Sequence, residues 1–241
     1  GLVPDAVVLV ATVRALKTHG GGPEVTPGKP LDEVYLEENL EILEKGCTNL
    51  EKHISNAKKF GLKVIVAVNQ FSTDTQKELE LVCKKANEAG ADAAVPCNHW
   101  AEGGAGAVEL AKAVIEQLQG TQSDFKFLYD VEKPIEEKIE IIAREMYGAD
   151  GIDISEFAAK QIETYTKQGY SNLPICMAKT HVSASYTWCS WSKADLQFCC
   201  SSPCPTSHHS RASPKASLCL SAVSSWQPEL ASSTRFAVRC R

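Results

Sequence analysis

The chain has 241 residues, with 25 Lys+Arg against 30 Asp+Glu, a formal net charge of -5 and a pI near 5.7. That length suffices for one large domain or two small ones. The charge balance argues against the basic face that nucleic acid requires, and no apolar run approaches the roughly 20 residues of a membrane-spanning helix. No basic stretch followed by an apolar run opens the sequence, so the expectation is a soluble intracellular protein with neither nucleic acid nor membrane as partner, cytoplasmic, with a mitochondrial isozyme as the other address.

In chain order, residues 6–13 (AVVLVATV) read as a first strand, apolar on both faces and therefore central. Residues 36–60 carry Leu36, Leu40, Leu43, Cys47, Leu50, Ile54 and Ala57 at spacings of three and four, the stripe of a helix facing a sheet. A second central strand is expected at 62–69, a helix at 73–90, a short strand at 93–97 and, after a glycine-rich stretch, a helix at 103–119. Residues 125–129 suggest a fourth strand, and helices are expected at 135–147, with Pro134 at its start, and at 155–168, with Ser155 as N-cap and Gly169 as its stop. The alternation specifies an α/β fold with a mostly parallel sheet and flanking helices.

After residue 183 the pattern changes: Ser becomes the commonest residue, acids shrink to Asp195 and Glu229, and Trp188, Trp191 and Trp226 appear without helix or strand period. Such a stretch buries little cooperatively. The reading that follows is a low-order tail over 184–241, against the rival of a redox or metal-binding module built on Cys200, Cys204, His208 and His209. The expected division is therefore 1–130 as the α/β core, 131–183 as a helical segment and 184–241 as the tail. Cys47, Cys83, Cys97 and Cys176 are scattered singly and read as buried small hydrophobes of a reducing compartment, with no metal site.

Two segments carry the functional signal, VIVAVNQFSTDT at 64–75 and CNHWAEGGAG at 97–106. Each is a strand running out into a polar loop with one large ring, Phe71 and Trp100, so that two rings are expected to project from neighbouring strand ends and grip a flat heteroaromatic ligand. Asn69 and Asp74 flank Phe71 with an amide and a carboxylate able to read a heterocycle's edge; the structural alternative is that Asn69 closes the strand and Asp74, with Thr73 or Thr75, caps the next helix. Trp100 has the equivalent alternative of a core or interface anchor. Arg14 and Lys17, with Gly20 and Gly21 behind them, are expected at the carboxyl edge of the sheet, where open α/β folds bind ligands and glycines let the backbone approach an anion.

The segments VATVRALKTHGGG (10–22), VAVNQFSTDT (66–75), HWAEGGAG (99–106), FLYD (127–130), YGAD (147–150) and NLPICMAKTH (172–181) together resemble the formate-tetrahydrofolate ligase family, nearest its eukaryotic trifunctional members. The resemblance implies an incomplete P-loop NTPase-like core and a two-step reaction: formate is phosphorylated by ATP, and the folate's secondary amine attacks the formyl phosphate to give 10-formyltetrahydrofolate, ADP and phosphate. It further implies Mg2+ with the nucleotide, a monovalent cation such as K+, a role in purine biosynthesis and a homodimer in the complete protein. On it, Phe71 and Trp100 match the rings that sandwich the pterin, and Arg14 to His19, Lys17 included, and Lys179 take anion or structural roles near the cleft; Gly20, Gly21, Asn69 and Asp74 stand beside them as possible anion or nucleotide contacts read from the residues themselves. No G-x-x-x-x-G-K-[ST] occurs in the 241 residues, so the expectation is a polypeptide incomplete for catalysis by itself, against the alternative of a non-catalytic isoform retaining folate binding or subunit association.

Overall fold

The computed structural model describes residues 3–26, 28–119 and 124–177, together with the backbone of three short strands farther on. The chain divides into two compact units, residues 1–127 and 128–183, each with parts of the remaining chain.

The first unit is built on three parallel strands, β1 (Ala6–Ala11), β2 (Lys63–Asn69) and β3 (Ala93–Cys97), in the order β1-β2-β3. Helices α1 (Val13–His19), α2 (Leu40–Lys58) and α3 (Gln76–Glu88) accompany it, followed by the single turn α4 (His99–Glu102) and by α5 (Val108–Leu118). Val64, Val66 and Val68 point to one face and meet Leu16, Leu43, Cys47, Leu50, Ile54, Leu79 and Val82 in one core. Each of these aliphatic side chains, once fully buried, contributes roughly 1.5–3 kcal/mol. Ile65 and Ala67 point to the other face and are buried as well. This is the α/β arrangement that the alternation predicts.

Three expectations for this unit are corrected. The valine-rich run does not stay extended to residue 13: the Thr12 hydroxyl accepts the Ala15 amide at 3.1 Å and starts α1, so Arg14 and Lys17 stand on a helix. Nor is β1 central among the described strands; it lies at the edge, with Val8 and Val10 exposed, because α5 packs on β2 and β3 and not across β1. No α5 residue is fully buried, although its apolar positions are spaced as predicted. Residues 125–129 form no strand. Phe125 stacks on Phe60 with centroids 6.4 Å apart, Phe127 meets Phe125 edge-on at 5.1 Å, and the Lys126 amide donates to the Phe60 carbonyl at 3.0 Å, so aromatic packing takes the place of a ladder.

α1 and α2 approach closely through two glycines. A Cβ at Gly20 would overlap the Ile42 carbonyl and one at Gly46 the Leu16 carbonyl. Gly20 therefore serves helix packing.

In the second unit α6 (Ile135–Tyr147) and α7 (Glu156–Lys167) pack Ile135, Ile139, Ala143, Ala158 and Ile162 together. Pro134 stands at the N-cap of α6, Gly148 ends it at φ 72°, and the Ser155 hydroxyl accepts the Ala158 amide at 3.2 Å to start α7. The short strands β4 (Ile152–Ile154) and β5 (Ile175–Met177) lie where no strand is expected. The backbones of β6 (Gln197–Cys199), β7 (Leu220–Ala222) and β8 (Arg235–Cys240) complete them: β4 and β6 pair antiparallel with β8, and β5 with β7. Apart from these backbones, the expectations for 184–241 lie outside the described residues. Of the four scattered cysteines Cys47 and Cys97 are buried, Cys83 is half-buried and Cys176 is exposed, so the expectation of uniformly buried thiols is corrected at Cys176.

Candidate functional site

The site lies at the carboxyl edge of the three-stranded sheet. Asn69, the last residue of β2, is in register with Cys97, the last of β3. One step farther the Gln70 amide donates to the Cys97 carbonyl at 3.0 Å, so the two chains leave the sheet side by side. Phe71 and Trp100 come next on these two loops.

The Phe71 loop is closed by its own hydrogen bonds. The Phe71 amide donates to Asp74 Oδ2 at 2.8 Å, and the Asp74 amide donates to the Phe71 carbonyl at 3.0 Å. Burial pushes the Asp74 carboxyl above its ordinary value, with the Phe71 amide working in the opposite direction. Thr75, not Asp74, is the N-cap of α3: its hydroxyl accepts the Glu78 amide while the Glu78 carboxylate accepts the Thr75 amide at 3.1 Å, a reciprocal capping box. Phe71 itself is half-buried, with the Arg14 guanidinium carbon 4.6 Å from its ring centroid. Arg14 Nη2 also donates to Thr73 Oγ1 at 3.4 Å.

Trp100 sits on α4 and is 80% exposed, which removes the reading of a core anchor within this chain. Behind it, the Asn98 amide donates to the Gly106 carbonyl at 3.1 Å and Asn98 Nδ2 to Glu102 Oε1 at 3.1 Å. A Cβ at Gly106 would overlap the Asn98 carbonyl, so the glycine-rich stretch lets the chain fold back tightly under the indole. Cys97 Sγ lies 3.3 Å from His99 Nδ1.

The other expected site residues fall differently. Lys17 is 1% exposed, and its ammonium is held by Glu78 Oε1 and the Glu37 carbonyl, each at 2.7 Å, so it braces the interior. Gly21 forms an open turn at φ 107°. Asn69 Oδ1 is buried without a hydrogen-bond partner, a polar atom that a ligand or water would satisfy, and Arg14 Nε, on the guanidinium that faces Phe71, is likewise buried without one. Lys179 lies outside the described residues.

Sequence reasoning missed Glu78, and it offered Thr73 only as a possible helix cap, not as a partner of Arg14. Burial alone pushes the Glu78 carboxyl up, and Lys17 with the Asn39 and Thr75 amides more than reverses this, so it rests below its ordinary value. The Thr75-x-x-Glu78 spacing is a capping-box signal that would have placed Glu78, whereas Thr73 gives no signal of that partner until Arg14 reaches it.

Among the described residues no group of three or more His, Cys, Asp or Glu side chains gathers to hold a metal ion. No helix among those residues is long and apolar enough to cross a membrane.

The family model for formate-tetrahydrofolate ligase matches residues 1–190, which takes in both ring loops and both units' helices. The chain belongs to the formate-tetrahydrofolate ligase family. It is similar to a cytoplasmic C-1-tetrahydrofolate synthase of Schizosaccharomyces pombe (59% identical over 186 residues) and to the cytoplasmic C-1-tetrahydrofolate synthase of Homo sapiens (58% over 186 residues). It is likewise similar to the human mitochondrial monofunctional C1-tetrahydrofolate synthase, 56% identical over 186 residues. Each alignment covers 77% of this chain but only 19–20% of the relative, so the chain spans about a fifth of the length of the relatives it matches. Within the formate-tetrahydrofolate ligase family, then, this polypeptide presents the sheet edge that carries Phe71 and Trp100.

Proposed function

We propose that this chain contributes the folate-stacking part of an ATP-dependent ligation of formate to tetrahydrofolate, the product being 10-formyltetrahydrofolate with ADP and phosphate. The observation that carries this reading is the placement of two rings, one half-buried and one exposed, on loops leaving two strands in register at Asn69 and Cys97. Two such rings suit a flat reduced pterin laid between them, each stacking contact contributing ~1 kcal/mol beyond area burial. Asn69, whose Oδ1 is unsatisfied, supplies an acceptor for the heterocycle's edge.

The same reading assigns formate and ATP as co-substrates, with Mg2+ and K+ accompanying the nucleotide, and places the protein in the cytoplasm, in purine biosynthesis and in a homodimer. Membership of the formate-tetrahydrofolate ligase family supports the co-substrates, and the relatives include both cytoplasmic and mitochondrial forms. The segments 1–130, 131–183 and 184–241 are retained as the working division of the chain.

Anaerobic calorimetric titration of the chain with tetrahydrofolate tests the stacking reading. Phe71→Ala and Trp100→Ala are each expected to weaken binding about tenfold, the loss of one stacking partner with its buried area. Unchanged affinity in both variants would sink it.

A further inference from the structure

The sequence places Arg14 among possible anion contacts, yet the two groups its guanidinium touches directly are neutral, while the Asp74 carboxylate one residue past Thr73 feels its charge without pairing with it. Its central carbon lies 4.6 Å from the centroid of Phe71, inside the roughly 6 Å range of a cation-π contact. Its Nη2 donates to Thr73 Oγ1, two residues past that ring on the same loop, at 3.4 Å. Arg14 forms no ion pair among the described residues. The geometry points to Arg14 as a positioning residue for the aromatic clamp, one that covers one face of Phe71 and leaves the opposite face for a ligand, acting on that ligand only through the ring.

Three features of the fold support this. β1 and β2 are in register up to Ala11 and Val68, so α1 starts beside the point where β2 ends, and the Thr12 cap fixes the first turn on which Arg14 stands. The Phe71 loop is closed through Asp74, and Arg14 approaches the ring from another element, α1. A positive charge against one face of an arene also withdraws π density, so the free face becomes a better partner for an electron-rich heterocycle such as a reduced pterin. The inference rests on the folate reading and adds a residue that the reading does not need.

A double-mutant cycle in the full chain separates the two, with anaerobic titration of tetrahydrofolate as readout. Arg14→Met is expected to weaken binding about fivefold, the size of a partly desolvated cation-π contact, and Arg14→Lys, which keeps the charge, to leave a loss of about twofold. In a Phe71→Leu background Arg14→Met should change nothing further. Equal losses in both backgrounds would mean that Arg14 touches the ligand directly, and would overturn the inference; so would a loss from Phe71→Leu with none from Arg14→Met. Indifference to both substitutions would overturn the folate reading itself and this inference with it. A ligand-free measurement covers the case in which Arg14→Met does not fold: the Arg14 side-chain protons should resonate upfield under the Phe71 ring current and return to ordinary positions in Phe71→Leu. Ordinary positions in the unsubstituted chain would overturn the inference without any ligand.

Discussion

Among the described residues each unit buries one lysine, and the two are held in opposite ways. In the first unit Lys17 meets a carboxylate, Glu78, which is 0% exposed and also accepts the Asn39 and Thr75 amides at 3.0 and 3.1 Å. One ion pair thus draws together α1 and the starts of α2 and α3. In the second unit Lys138, also 0% exposed, donates to three backbone carbonyls, Val131 at 3.0 Å, Ser171 at 2.5 Å and Leu173 at 2.7 Å. A full charge opposite a charge and a full charge opposite three dipoles are both workable, but they fail differently. Removing one partner of the first leaves a buried ion without its counter-charge; removing the lysine of the second leaves unsatisfied carbonyls.

The largest expected effect therefore comes from Glu78→Gln. It keeps the shape but only one acceptor oxygen for the two helix-start amides, which use different oxygens of Glu78, and leaves the buried Lys17 ammonium without a counter-charge, at an expected cost of about 3–5 kcal/mol. Urea unfolding should show this as a lowered midpoint, and Lys17→Met added to Glu78→Gln should recover most of it. If the single and double variants are equally destabilised, the pair is not what holds the three helix ends. The same pair has a pH signature. The folded Glu78 carboxyl sits below its ordinary 4.5, so its contribution is complete above that value and is lost as pH falls through the lower, folded value. The stability gap between the unsubstituted chain and Glu78→Gln should narrow on acidification below about 4.5.

Lys138→Met comes second. Three carbonyls lose their donor while no ion is left behind, and the expected cost is about 1–3 kcal/mol. Hydrogen exchange should quicken in the segment that ends in β5, which Ser171 and Leu173 precede, and leave α1 to α3 unchanged. An effect as large as that of Glu78→Gln would erase the distinction between the two lysines.

The contrast also marks what a sequence discloses. β3 and α6 are found at the expected residues because strand and helix periods are local and their ends carry local signs, Pro134 and Gly148 for α6. The two ring loops are legible for the same reason, each an apolar run ending in a polar segment around one aromatic. Lys17 was misplaced because a lysine beside glycines looks like an anion contact, and its true partner is distant in sequence. The helical turn at Thr12 was hidden because Val13 prolongs a strand-like run and only a hydroxyl marks the change. Arg14 was assigned to the right neighbourhood with the wrong partners: charge suggests an anion, whereas its contact with Phe71 depends on how two strand ends are placed.

Two half-buried histidines extend the comparison to its weak end. Burial lowers the proton affinity of His19 and of His53 below the ordinary 6.5, and the charge of His53 lowers that of His19 further. Each therefore binds fewer protons when folded than when unfolded between its folded value and 6.5, so stability is complete above 6.5 and declines as pH falls through that window. His53→Gln removes one such group and relieves the other. Its unfolding midpoint should depend less on pH between about 7 and 5 than that of the unsubstituted chain, by an amount smaller than either lysine substitution produces. Parallel pH profiles for the two proteins would show that neither imidazole is held neutral by burial, leaving the two lysines as the places where desolvated charge governs this fold.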